Sequence, residues 1–186
     1  MTIKQIFCGL LGGLMLSSSA DAATINPADK VLVVYFSHSG NTKTIASMIQ
    51  KQTGADILEI ETDEVYPEEY HQLTELAKKQ ITEGYRPALK NKPAAIDDYQ
   101  VIFVGSPCWW STIAPPVSTF LTQYDFSGKT VIPFMTHGGS GFGHSIEDIQ
   151  KLAPSASIGQ GKAFWGAQAD GAEHDVTNWI EGLKND

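Results

Sequence analysis

Three short segments carry the residue types from which a binding site could be built. The first is Ser37-His38-Ser39-Gly40-Asn41-Thr42, which offers hydroxyls, an amide and a glycine just ahead of a helical pattern. A helix start gathers unpaired N–H groups and the positive end of the helix dipole, so hydroxyls placed there make a seat for an anion such as a phosphate. Ser, Asn and Thr are also ordinary helix-capping residues, and an isolated helix start would need no ligand to explain them. The second segment is Ser106-Pro107-Cys108-Trp109-Trp110-Ser111-Thr112. Two adjacent indoles cannot both enter one core, so at least one presents a flat face to solvent or to a planar heterocycle. The third is Thr136-His137-Gly138-Gly139-Ser140-Gly141-Phe142-Gly143, whose glycines let a backbone approach a flat ligand closely and whose His137 could donate a hydrogen bond.

The elements that must position these segments alternate along the chain. Val31 to Phe36 and Val101 to Val104 are continuous apolar, β-branched runs, as strands buried on both faces require. Ile57 to Glu61, Thr130 to Thr136 and Lys162 to Gly166 complete a set of five expected strands. Between and after them Ile45/Met48/Ile49, Tyr70/Leu73/Ala77/Ile81, Val117/Phe120/Leu121/Tyr124, Ile146/Ile149/Leu152 and Val176/Trp179/Ile180/Leu183 recur at helical spacing. Such alternation predicts an α/β domain over residues 30–186, with a parallel sheet covered on both faces by helices. Pro133 falls inside the fourth strand, where its missing N–H predicts a bulge or a strand end. All three chemical segments then lie beyond the carboxyl ends of strands, where ligands bind in open sheets of this kind.

Together the segments resemble the flavodoxin-like family of proteins that bind flavin mononucleotide (FMN), over residues 31–185. Ser37, Ser39, Gly40 and Thr42 match the family's phosphate loop. The segment holding Pro107, Trp109 and Trp110 is similar to its first isoalloxazine loop, and Thr136 to Ser140 to its second. The resemblance implies the strand order 2-1-3-4-5. It also implies an FMN site made of Ser37, His38, Ser39, Gly40, Asn41, Thr42, Ser106, Pro107, Cys108, Trp109, Trp110, Thr136, His137, Gly138, Gly139 and Ser140. Three functions fit it: a two-electron oxidoreductase on a small planar acceptor such as a quinone, a flavodoxin-type electron carrier docking on a redox protein partner, and a non-redox binding module of the same fold. One-electron carriers of the family turn a peptide of the first loop toward flavin N5, which needs a Gly or Asn able to enter positive φ. Ser106 to Thr112 contains neither, so positive φ is not expected there and two-electron chemistry is favoured.

Composition bounds the partners. The formal net charge is −8 and Arg86 is the sole arginine, which argues against a nucleic-acid partner and leaves any bound anion to neutral donors or lysine. Glu61, Asp63, Glu64, Glu68 and Glu69 follow the second strand, either as a solvated face or as a docking surface for a basic partner. No phosphate-loop G-x-x-x-x-G-K-[ST], dinucleotide G-x-G-x-x-G or nucleophile-elbow G-x-S-x-G occurs, and His38, His71, His137, His144 and His174 lack metal-ligand spacing. Lys4, the apolar run Ile6 to Leu16 and Ala20-Asp21-Ala22 read as a signal peptide over residues 1–22, too short for a membrane span, followed by a linker over 23–29. Export to the periplasm or beyond is therefore expected, with no membrane span in the mature chain. Cys108 would remain as the lone cysteine, so no disulfide framework forms.

Overall fold

The computed structural model describes residues 25–91 and 95–185. The signal-peptide reading falls on residues 1–22, outside the described residues. The chain runs β1 (Val31–Tyr35), α1 (Asn41–Thr53), β2 (Asp56–Glu59), α2 (Tyr70–Glu83), β3 (Val101–Trp109), β4 (Thr112–Ile113), α3 (Pro115–Gln123), β5 (Thr130–His137), α4 (Ser145–Leu152), β6 (Ser157–Ile158), β7 (Lys162–Trp165), a 3-10 turn (Gly166–Gly171) and α5 (Glu173–Asn185). The sheet order is β2-β1-β3-β5-β6, with β7 also pairing with β5 and all of these contacts parallel. With β6 and β7 counted as one interrupted strand, this is the expected flavodoxin-like order.

Strand alternation divides the core into two layers. Leu32, Val34, Ile102 and Val104 face Leu73 of α2, Val117 of α3 and Ile149 of α4. Val31, Val33, Val101 and Phe103 face Ile45 and Ile49 of α1 and Val176 and Ile180 of α5. Ile25, in the stretch read as a linker, is buried in this second layer and its N–H donates to Leu183 O at 2.8 Å.

Pro133 does not end its own strand. It stays within β5 opposite Val104, and the interruption passes to the neighbour. β6 pairs with Thr130 and Val131, β7 with Phe134 to His137, and the chain between them skirts the proline. Pro133 has no N–H to offer on that side, and Gly161 packs so closely on Pro133 O that a Cβ there would collide.

The larger correction concerns Ser106 to Thr112. It is not a loop. β3 continues through Trp109, and the chain reverses at Trp110-Ser111 into β4, with Cys108 paired to Ile113 and Trp109 to Thr112. Trp110 (φ 50°) and Ser111 (φ 65°) both occupy the left-handed region. The absence of Gly and Asn therefore did not keep positive φ out of this segment. Antiparallel hairpins with two-residue turns demand it, and tertiary bonds hold it in place. Trp110 Nε1 donates to Thr74 O at 2.9 Å, and His144 N–H donates to Ser111 O at 2.6 Å. Left-handed backbone costs about 1–2 kcal/mol per non-glycine residue, which these contacts offset.

Candidate functional site

The chain turns to opposite sides of β1 after β1 and after β3, and the loops that diverge there open a crevice at the carboxyl end of the sheet. A cavity of about 680 Å³ fills it. The β1–α1 loop contributes His38 and Ser39, and α1 its first residue, Asn41; β3 contributes Pro107, Cys108 and Trp109; β5 and the residue after it contribute Thr136, His137 and Gly138. These members of the three chemical segments are thus brought together.

One end gathers neutral hydrogen-bond donors. Gly40 is the N-cap of α1 with φ 90°, and being glycine it offers no capping side chain to the helix's first amides. Ser37 Oγ instead accepts from Lys43 N–H at 3.2 Å. Thr42 and Thr136 are 1% and 5% exposed, and their hydroxyl oxygens lie 2.8 Å apart. One hydroxyl donates to the other, which leaves one hydrogen of the pair for a ligand. Among the described residues no cation lines the cavity: Lys43 is drawn off to Glu59 at 2.7 Å, and that bond and charge raise its ammonium pKa. Gly166 lets the Asn41 side chain lie against the chain that follows β7, since a Cβ there would stand 2.8 Å from Asn41 Nδ2.

The other end is aromatic. Trp109 is half-buried and meets Phe36, Tyr66 and His38 edge-on, with ring centroids 5.7, 5.1 and 6.1 Å away. Three edge contacts fix the plane of the indole. Tyr66 donates to Gln80 Oε1 at 2.9 Å, and burial, with Glu64 nearby, holds its phenol well above the usual range. His137 Nδ1 accepts from Gly139 N–H at 2.9 Å, which leaves the ring proton on Nε2, and the ring packs on Trp165 at 5.3 Å. Ser140 Oγ donates to Cys108 Sγ at 3.2 Å.

Other predicted residues lie elsewhere. Ser106 is fully buried; its hydroxyl donates to Pro107 O and accepts from Ala114 N–H, bracing the hairpin rather than reaching the cavity. Ser37, Gly40 and Thr42 do not line the cavity, nor do the exposed Gly139 and Ser140. Trp110 lies outside it and lines a neighbouring hollow. The cavity also takes in Tyr66, Glu68, Tyr70, Leu73, Gly166 and Ala167, which the three segments do not include. Gly166 and Ala167 follow a strand end, and position alone could have flagged them. Tyr66 to Leu73 arrive through the packing of α2, for which the sequence carries no local signal. Among the described residues no helix is long and apolar enough to cross a membrane.

Residues 30–183 match the family model described as flavodoxin. A flavoprotein structure from Bacteroides eggerthii is similar at 28% identity with a TM-score of 0.74, covering 85% of this chain and 99% of its own. One from Bacteroides uniformis is 30% identical with a TM-score of 0.74, covering 82% and 98%. A flavoprotein in complex with FMN from Lactobacillus acidophilus is 23% identical with a TM-score of 0.64, covering 77% and 98%. No curated protein matches the chain.

Proposed function

Because this chain belongs to the flavodoxin family and its cofactor is FMN, we propose that it is a two-electron flavin oxidoreductase acting on a small planar acceptor such as a quinone. The cavity suits the cofactor: neutral donors at Ser39, Asn41 and Thr136, the last paired with Thr42 behind it, would take the phosphate, and Trp109, Pro107 and His137 would border the ring. Bound FMN supplies the redox chemistry, moving two electrons from a donor to the acceptor. The chain's residues bind it, orient it and fence it from water.

One observation carries the two-electron reading. Of the β3 residues that border the cavity, Pro107 is paired with Thr136 of β5, and Cys108 and Trp109 are laddered to Ile113 and Thr112, so all three are committed to the sheet or the hairpin. The positive-φ positions fall at Trp110 and Ser111, beyond the cavity. Turning a Cys108 or Trp109 peptide toward a flavin would break ladder bonds, each worth about 1 kcal/mol. A ring site without a free peptide favours passing electrons in pairs. The test is stepwise anaerobic reduction of the FMN-loaded protein followed by absorbance. Conversion without a long-wavelength band at half-reduction is expected. A large band there would instead put the carrier reading first.

That second reading has one feature in its favour. Glu68 lines the cavity, and Glu61 and Glu64 line an adjoining depression, so a basic partner protein would find acids at the mouth. Association slowed by salt would support it. Export, inferred from residues 1–22, would make the FMN a late addition, since Sec-type translocation moves unfolded chains. It would also favour a donor other than a reduced nicotinamide.

A further inference from the structure

Beside the cofactor cavity lies a second hollow of about 360 Å³, between α2 and the β3–β4 hairpin. Tyr70, Leu73, Ala77, Trp109 and Trp110 form most of its wall, and none of its lining residues is charged. Tyr70, Leu73, Cys108, Trp109 and Gly138 line both spaces, so an occupant of the smaller one would lie beside whatever the larger one holds. Its volume is in the range of small-molecule sites.

The second observation is the turn itself. A two-residue hairpin turn with positive φ at both positions is ordinarily Asn-Gly or Asp-Gly. Here it is Trp-Ser, with φ 50° at the indole. A bulky residue in the left-handed region is an outlier, and strain of this kind gathers where a side chain is being used. The indole is not core filling: it is 51% exposed. It is nevertheless held in one place, by Nε1–H to Thr74 O and by Lys78 Nζ 4.8 Å from the ring centroid. A strained, anchored, half-open indole facing an uncharged hollow is a wall for a flat apolar ligand.

We propose that this hollow is the acceptor site, that it takes an uncharged aromatic molecule of one or two fused rings of the quinone type, and that Trp110 is its specificity-determining residue; the proposal rests on the two-electron reading above. A charged ring system is disfavoured, because no charged side chain lines the hollow and the Lys78 ammonium beside it is engaged with the Trp110 ring. Trp110 lies outside the cofactor cavity, so its replacement leaves FMN binding intact. Trp110→Asn gives up the bond to Thr74 but places a residue suited to positive φ in the turn, and relief of that strain offsets the lost bond.

The test is calorimetric titration of the FMN-loaded chain with 1,4-naphthoquinone and, separately, with its 2-sulfonate. It requires no turnover and no electron donor, so its result is independent of the reductive titration. One neutral quinone should bind per chain, at least tenfold more tightly than the sulfonate. Trp110→Asn should weaken it about tenfold, the loss of one stacking wall, with unchanged FMN affinity and a melting temperature equal or higher. Equal binding of the sulfonate, undiminished binding to Trp110→Asn, a lowered melting temperature of that variant or loss of its FMN would each overturn the proposal. So would the absence of naphthoquinone binding to protein that holds FMN.

Discussion

Replacing Thr42 by Val keeps the side chain's shape and removes one hydroxyl from a buried pair. In the cofactor-free protein, Thr136 Oγ1 loses the partner 2.8 Å away at a site 5% exposed. An orphaned buried hydroxyl costs about 1–3 kcal/mol. For a chain of this size each kcal/mol lowers the melting temperature by about 2–4 °C. Thr42→Val/Thr136→Val removes both partners and should recover most of that stability, because exchanging a hydrogen-bonded pair for apolar groups of the same shape is nearly neutral. Affinity for FMN should behave differently. The double variant lacks the hydroxyl hydrogen that the pair leaves for the phosphate, a charge-assisted bond worth about 1.5–3 kcal/mol, or about 10- to 150-fold in Kd, whereas Thr42→Val keeps the Thr136 hydrogen free to donate. Thermal melts without FMN and calorimetric titrations with it separate the two effects. Wild-type FMN affinity in the double variant would refute the role given to these hydroxyls, and a single variant as stable as wild type would refute their burial as a pair.

Bound flavin should be weakly fluorescent because an electron-rich indole lies at its site; Trp109→Leu should raise the emission severalfold and Trp110→Asn should not, and the reverse pattern in FMN-loaded protein would exchange the two roles. Burial, with acidic neighbours, raises the Tyr35 and Tyr66 phenols above their usual value of 10.0. The folded state therefore holds them neutral while the unfolded chain ionises, so their contribution is complete below about pH 10 and is lost as pH rises further; urea melts between about pH 9 and about pH 11 should show falling stability, and a flat profile would contradict the burial. The native protein should begin at Ala23, read by mass spectrometry of its N-terminal peptide, and an intact Met1 or Thr2 terminus in the soluble cytosol would exclude export.

The parallel strands were legible where burial on both faces writes itself as an unbroken apolar run, as at Val31 to Phe36 and Val101 to Val104. Ser157-Ile158 was not, because two residues have no period. The β3–β4 hairpin was hidden for a different reason: Trp110-Ser111 has none of the turn chemistry that marks such reversals, and its conformation is imposed by Thr74 and His144, which are distant in sequence. The hydroxyls and glycines beyond strand ends pointed to the crevice because strand order alone determines where those ends meet. Ser106 looked the same in the sequence as Ser39, and only its bonds to Pro107 and Ala114 separate a brace from a ligand-facing group. Tyr66, Tyr70 and Leu73 reach the cavity through the docking of α2 on the sheet, a tertiary fact that no local pattern encodes.

The central claim is a flavin site whose phosphate end does the selecting. It is tested most directly by titrating the chain with FMN and with riboflavin, which share the ring and differ in the phosphate. The first amides of α1, which the N-cap glycine leaves without a side-chain partner of its own, and the Thr42–Thr136 pair supply several donors to that group. FMN should therefore bind at least about a hundredfold more tightly, as two or more charge-assisted bonds would give. Equal affinity for the two flavins would contradict the account.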